Sequence, residues 1–288
     1  MRERKGPKVP GKYKEQLYST RNTKETVKMK MRRSRVLQKL RAGQVVACFK
    51  LNLACARPAE MAAIHGFDCI WSCMEHVPND WSVVEKQIWA AKTRDTDVMV
   101  RIARDGYPGY IKPLEMDAAG IMVPHVMNLE DAKRVIRITR FHPTGRRPID
   151  SGNADAAYLN IDLADYIKQA NRERFVAIQV EDPEVLDDLE EIASLDGIDI
   201  IFFGPGDFSH AIGAPGEWDH PRILQTRKRV AEVCIEHGKY AATTATPENM
   251  DEVIGLGYRF LNLGSDVRGL NEYCQRQIAQ FQEKIRKK

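Results

Sequence analysis

The chain has 288 residues, of which 43% are hydrophobic, 29% charged and 8% aromatic. That makes one large domain or two small ones, with apolar side chains enough for a sizeable core, and it excludes a disordered chain. No uncharged apolar run approaches the ~18–20 residues of a membrane span. The net charge of +4 conceals a split, because residues 1–41 hold 15 Lys and Arg against 3 acids and the remainder carries −8.

A basic tail on an acidic globule is not a nucleic-acid signature, so nucleic acid is not an expected partner. Residues 1–30 read as a solvated arm. An organelle-targeting peptide is the weaker alternative, because the N-terminus is at least as rich in Lys as in Arg and Gly6, Pro7, Pro10 and Gly11 break any amphipathic helix. An arm that touches RNA or a neighbouring subunit is a third reading. The six cysteines, Cys48, Cys55, Cys69, Cys73, Cys234 and Cys274, form no CxxC pair. They read as reduced core thiols, which predicts a cytoplasmic setting.

From residue 31 the pattern is regular. Met31–Arg41 predicts a basic amphipathic helix with Val36, Leu37 and Leu40 on one face. Eight short apolar strands follow, at 45–50, 68–73, 98–102, 121–124, 175–181, 198–203, 240–243 and 260–264. Each precedes a helical stretch, at 57–65, 80–94, 107–117, 128–140, 183–194, 221–237, 247–256 and 269–285. The run Ile198-Asp199-Ile200-Ile201-Phe202-Phe203 is almost wholly apolar, as suits a parallel strand covered on both faces. Eight such units over about 250 residues predict a (β/α)8 TIM barrel spanning 31–288. A doubly wound open sheet is the runner-up, but no GxGxxG follows the first strand. The interval Phe141–Tyr166 is irregular and predicts a lid, a binding loop or an oligomer contact, placed on the C-terminal face with the strand-end loops.

Polar residues just after strands would converge on that face. They are Glu75 and His76 after the second strand, Arg101 ending the third, Glu181 and Asp182 ending the fifth and Asp207 after the sixth. Glu181 and Asp207 could form a hard-cation site with open positions for water and a chelating substrate. The glycines beside Asp207 let backbone N–H groups approach an anion. Arg101 could hold a carboxylate or an oxyanion, and His76 could move a proton near neutral pH. Each has a plain structural reading too: a helix cap or turn for the acids, a satisfied polar contact for the His, a salt bridge for the Arg. Only the joint pattern points to chemistry.

That pattern is carried by five segments in order. Gly66-Phe67-Asp68 with Glu75-His76-Val77-Pro78-Asn79-Asp80 resembles GFD…EHAPND. Val100-Arg101 resembles VRP, Gly120-Ile121-Met122-Val123-Pro124-His125-Val126 resembles GIIVPHV, Gln179-Val180-Glu181-Asp182 resembles QIET, and Gly204-Pro205-Gly206-Asp207-Phe208-Ser209 resembles GPADLS. Over roughly 33–280 the chain is similar to the 4-hydroxy-2-oxoheptanedioate aldolase family. These are class II, metal-dependent pyruvate aldolases, related to 2-dehydro-3-deoxyglucarate aldolase, macrophomate synthase and the citrate lyase β-subunit.

The resemblance implies that Glu181 and Asp207 hold a divalent cation (Mg2+, Mn2+ or Co2+), with Glu75 supporting water on it. It implies that Arg101 contacts the keto oxygen of pyruvate and stabilises the enolate, while the backbone of Gly204, Gly206 and Asp207 holds the carboxylate. His76 would be the acid/base, partnered by Glu115. The family's usual hexamer, a trimer of dimers exchanging a C-terminal helix, would place that helix in Asn271–Lys287. Three positions depart from the pattern: Cys73 stands for Asp, Glu115 for Asp, and Ile102 for Pro. The expected reaction is cleavage of a 4-hydroxy-2-oxo acid to pyruvate and an aldehyde. The alternatives are oxaloacetate decarboxylation or acyl-CoA cleavage on the same scaffold, the latter needing a basic groove such as Arg137, Arg140, Arg146 and Arg147 could form. A non-catalytic keto-acid-binding homologue is another alternative, motivated by Cys73 and Glu115, and RNA binding through the arm is the last.

Overall fold

The computed structural model describes residues 29–286, so the sequence-predicted arm lies almost entirely outside the described residues. Eight parallel strands close into a barrel in the order β1 to β8. They are β1 Val46–Lys50, β2 Cys69–Cys73, β3 Asp97–Arg101, β4 Gly120–Val123, β5 Phe175–Val180, β6 Ile200–Phe203, β7 Tyr240–Thr244 and β8 Phe260–Ser265. All eight predicted strands are present, each within a residue or two of its expected bounds. Strands such as β2, β3, β5 and β6 are buried at every position, which explains their continuous apolar sequence.

Alternate residues fill the barrel interior, among them Val46, Cys48, Cys69, Trp71, Met99, Met122, Phe175, Phe202 and Phe260. Gly120 is required there, because a Cβ would sit 2.3 Å from the Phe175 ring. The opposite strand faces meet the helices in a second apolar layer that includes Ile121, Ile178, Val180, Ile201 and Phe203.

The helices are α1 Arg35–Arg41, α2 Arg57–Ile64, α3 Trp81–Lys92, α4 Tyr107–Glu115, α5 Leu129–Thr139, α6 Leu163–Glu173, α7 Leu189–Ser194, α8 Pro205–Ala211, α9 Pro221–Glu236, α10 Met250–Leu256 and α11 Asp266–Arg286. A 3-10 turn, Pro183–Asp188, precedes α7. Two helices go beyond the sequence expectation. Helix α6 begins inside the interval read as irregular, with Asp162 capping it through bonds from the amides of Ala164 and Asp165. Helix α8 is disguised by a Gly-Pro-Gly run, yet Pro205 suits a first helical turn.

The N-terminal end of the barrel is closed. Helix α1 buries Val36, Leu37 and Leu40 against the interior cluster. Its cap, Ser34, donates its hydroxyl to Asp97 at 2.6 Å. Beside it, Arg174 donates from Nε to Asp155 at 2.6 Å and also bonds Asp117, and Arg147 reaches Asp155 at 3.2 Å. These charges are nearly fully buried and mutually paired, as burial demands.

This network corrects one expectation. The irregular stretch from Phe141 to the start of α6 follows α5, not β4, and Asp155 ties it to Arg174 and, through its amide, to the Glu115 carbonyl at the N-terminal end. It is not a lid over the C-terminal face of its own barrel. Helix α11 leaves β8 with no buried residue and carries exposed Val267, Leu270, Tyr273, Ile278, Phe281 and Ile285. No helix among the described residues is long and apolar enough to cross a membrane.

Candidate active site

A cavity of about 910 Å3 opens at the C-terminal ends of the strands. Its wall includes Lys50 and Trp71 from β1 and β2, Arg101 from β3, Gln179 and Glu181 from β5, and Gly204–Asp207 from the β6–α8 turn. Strand ends supply each of these, so the parallel barrel itself brings them to one rim.

Arg101 is almost fully buried. Its Nε donates to Glu75 Oε2 at 2.9 Å, and Nε and Nη2 both lie against Cys73 Sγ at 3.3 and 3.2 Å. The guanidinium carbon rests 4.9 Å from the centroid of the Trp71 ring. Ring, thiol and carboxylate thus fix a planar cation at the cavity edge. Cys73, a departure from the family pattern, is a buried neighbour of this arginine.

Glu181 is 1% exposed. The backbone N–H of His125 donates to its Oε1 at 2.9 Å, and Gln179 Nε2 donates to Oε2 at 2.6 Å. Burial, above all, pushes its carboxyl up to about 7; the His125 amide and ring oppose the rise and Asp207 adds to it. A buried carboxylate in this state favours a nearby cation. Gly204 makes room for it, since a Cβ there would come within 2.9 Å of Glu181 Oε2. Asp207 is exposed in the first turn of α8. Among the described residues no group of three or more His, Cys, Asp or Glu converges as a metal cage. The carboxylates of Glu181 and Asp207, both on the cavity wall, are a donor pair of the kind that would fit a hard cation keeping most positions for water and substrate.

His76 stands on the rim with its side chain 55% exposed, Nε2 3.5 Å from Glu75 Oε2, and neither residue lines the cavity. Glu115 does not join them. It ends α4, five residues before β4 begins, where its carbonyl accepts from the Asp155 amide. That is the N-terminal end of the barrel, opposite His76, so one chain cannot form the expected His76–Glu115 dyad. Burial raises the Glu115 pKa, with Asp150 and Asp155 adding to the rise and Arg147 opposing it.

Two residues to which the sequence assigns no role stand here. His125 follows β4 in the left-handed region (φ 48°), its Nδ1 2.9 Å from Asp182 Oδ2 and its Nε2 3.6 Å from Glu75 Oε1. Burial works against its charge, but the Asp182 hydrogen bond and the Glu181, Asp182 and Glu75 charges prevail and raise its pKa. Lys50 is the last residue of β1, its Nζ 4.8 Å from the Trp71 centroid. The rule of seeking polar residues at strand ends would have found both.

Residues 47–272 match the family model described as HpcH/HpaI aldolase/citrate lyase, and the chain belongs to that family. It is therefore an enzyme of the aldolase and lyase class, in a family of class II aldolases and citrate lyases. The 2-keto-3-deoxy-L-rhamnonate aldolase of Escherichia coli K12 is 29% identical over 249 residues, 85% of this chain and 91% of that one. Among solved structures, an HpcH/HpaI aldolase/citrate lyase family protein from Burkholderia cenocepacia J2315 aligns with a TM-score of 0.80 at 26% identity, over 86% and 99% of the two chains. The HpcH/HpaI aldolase of Desulfitobacterium hafniense DCB-2 shares the fold, with a TM-score of 0.81 at 24% identity over 86% and 96%.

Proposed function

We propose that the chain is a metal-dependent carbon–carbon lyase that cleaves a 4-hydroxy-2-oxo acid to pyruvate and an aldehyde. The observation that carries this is the juxtaposition, on one cavity, of a buried carboxylate, Glu181, a second carboxylate, Asp207, and a rigidly held arginine, Arg101. Glu181 and Asp207 would hold the divalent cation, Mg2+, Mn2+ or Co2+, which supplies a Lewis acid and an electron sink for the keto group. Arg101 faces the same space and stabilises the negative charge that develops on the keto oxygen. The open N-terminal turn of α8, at Gly206 and Asp207, offers amides to the substrate carboxylate. His76 and Glu75 border the rim, 3.5 Å apart, where His76 would act on the substrate through a water.

The test is pyruvate release from a panel of 4-hydroxy-2-oxo acids, assayed with each cation and after chelation. Activity that is lost on chelation and restored by Mg2+, Mn2+ or Co2+ is the expected result. Full activity after chelation overturns the metal assignment. Turnover of oxaloacetate or an acyl-CoA thioester alone moves the enzyme to the alternative reactions.

We further propose that the active form is a homo-oligomer. In α11, Leu270, Ile278, Phe281 and Ile285 recur at helical spacing on one exposed stripe, and such a stripe is stable in water only when covered. A second copy of the chain is the fitting cover, in keeping with the helix exchange that the family resemblance implies. Any partnership between His76 and Glu115 likewise requires two chains, given their opposite ends of the barrel. Phe281→Glu is expected to lower the sedimentation-derived mass toward the monomer; an unchanged mass refutes this role for α11.

A further inference from the structure

The cavity, at about 910 Å3, is near the upper end of small-molecule pockets and has room for far more than a pyruvate moiety. Beyond the Glu181 and Asp207 carboxylates its wall is made by the loops after β7 and β8 and by one residue of α9, Arg227. Helices in this barrel run back from the C-terminal rim, and side chains on a helix lean toward its N-terminus. Arg227, in the second turn of α9, therefore leans toward that rim. Its backbone is fixed, since the Tyr258 hydroxyl donates to its carbonyl at 2.8 Å. Its side chain is not satisfied. The residue is 8% exposed, and among the described residues its buried Nε has no hydrogen-bond partner. Its ion pair is a loose one, with Nη1 3.9 Å from Glu252 Oε1 on a side chain that is 60% exposed.

A guanidinium taken out of water needs acceptors for its fork of N–H groups, and a buried donor left unmet costs stability. The other carboxylates on this part of the wall are otherwise placed: Glu272 accepts from Arg268 at 3.0 Å, and Glu248 is exposed. Arg227 is thus a cation in want of one negative charge, which matches a monoanion better than a doubly charged phosphate. Its planar fork suits the two oxygens of a carboxylate. Trp218, exposed on the same wall, offers an apolar face to the chain that would lead there.

We propose that Arg227 sets the choice of aldehyde in this chain by anchoring a carboxylate at the far end of the aldehyde half of the substrate. The pyruvate half stays with Arg101, Glu181 and Asp207, and the second carboxylate pairs with the Arg227 fork. The acceptor is then an acidic aldehyde. This rests on the lyase reading and leaves bond cleavage and proton transfer as already described. It gives the buried, unpartnered Nε of Arg227 the acceptor that the described residues do not supply.

The experiment follows aldol addition of pyruvate, with cation present, to a series of ω-carboxy aldehydes and to unbranched neutral aldehydes matched in length. Full-length wild type, Arg227→Leu and Arg227→Lys are compared. Wild type is expected to prefer the acidic members. Arg227→Leu should lower kcat/KM for them about 10- to 100-fold, chiefly through KM, while neutral aldehydes change less than about threefold. Arg227→Lys, which keeps the charge without the fork, should retain part of the preference. Arg227→Leu is expected to melt no lower than wild type, since it removes a buried and poorly paired charge. An equal loss for acidic and neutral aldehydes, with a lowered melting temperature, marks a purely structural arginine and overturns the proposal. Better use of glyceraldehyde phosphate than of any carboxylate, with the same dependence on Arg227, overturns the carboxylate assignment. Calorimetry with glutarate separates this subsite from the lyase reading. If wild type adds pyruvate to no aldehyde, the lyase reading fails. Glutarate binding that weakens about tenfold in Arg227→Leu then still supports the subsite, and equal binding in both proteins overturns it.

Discussion

Glu181→Gln is expected to reduce metal-dependent lyase activity by more than about 100-fold, since even neighbours of metal ligands are typically worth 10- to 100-fold. The same change is expected to stabilise the cation-free protein at pH 8. In the folded chain this carboxyl titrates at about 7, against 4.5 for an ordinary glutamate, chiefly because it is buried. Between those values the folded state holds a proton that the unfolded state has released. Stability of the cation-free protein therefore falls as pH rises from about 4.5 to about 7 and levels off above that. A tenfold difference in proton affinity is worth ~1.4 kcal/mol, so the cost is on the order of 3 kcal/mol at most. The amide substitution removes it. One new amide oxygen still accepts from the His125 N–H, and Gln179 can turn its own amide so that Oε1, buried and unpartnered, accepts from the new NH2. Melting temperature against pH, with and without cation, is the measurement. Wild type should gain stability on adding Mg2+ above pH 7 and little below pH 5, and the variant should gain almost none at either. A variant that is less stable than wild type at pH 8, yet still stabilised by cation, defeats the account.

The strands and most helices are legible because their sequences obey one local rule each. An apolar run such as Ile200–Phe203 has no other use than a doubly covered strand, and Asp80 and Asn128 each cap a helix through the amide three residues on. Residues at strand ends are equally legible, since a parallel barrel carries Arg101, Glu181 and Asp207 to the same rim whatever their spacing in the chain. Two kinds of information are not local. The first is which end of the barrel a long connection occupies: α5 lies between β4 and the stretch from Phe141 to α6, and that stretch is pinned through Asp155 by Arg174 and the Glu115 carbonyl. Glu115 lies at that same end, and a count of residues from Arg101 gives no direction along the barrel axis. The second is the state of a charged side chain. Lys50 in sequence is an unexceptional strand-terminal lysine, and only the fold reveals that it stands over the Trp71 ring beside Arg101 on the cavity wall.

Arg101→Lys separates charge from geometry at the centre of this site. Both side chains are cationic, but lysine lacks the planar fork that bonds Glu75 and Cys73 while covering Trp71. An ammonium free to swing cannot stay aimed at the position where the oxyanion develops. Losing one such fixed donor typically costs about 10²- to 10³-fold in kcat. The expected result is a loss of that size, with a smaller change in KM. A loss confined to KM would show that Arg101 binds substrate and transition state alike.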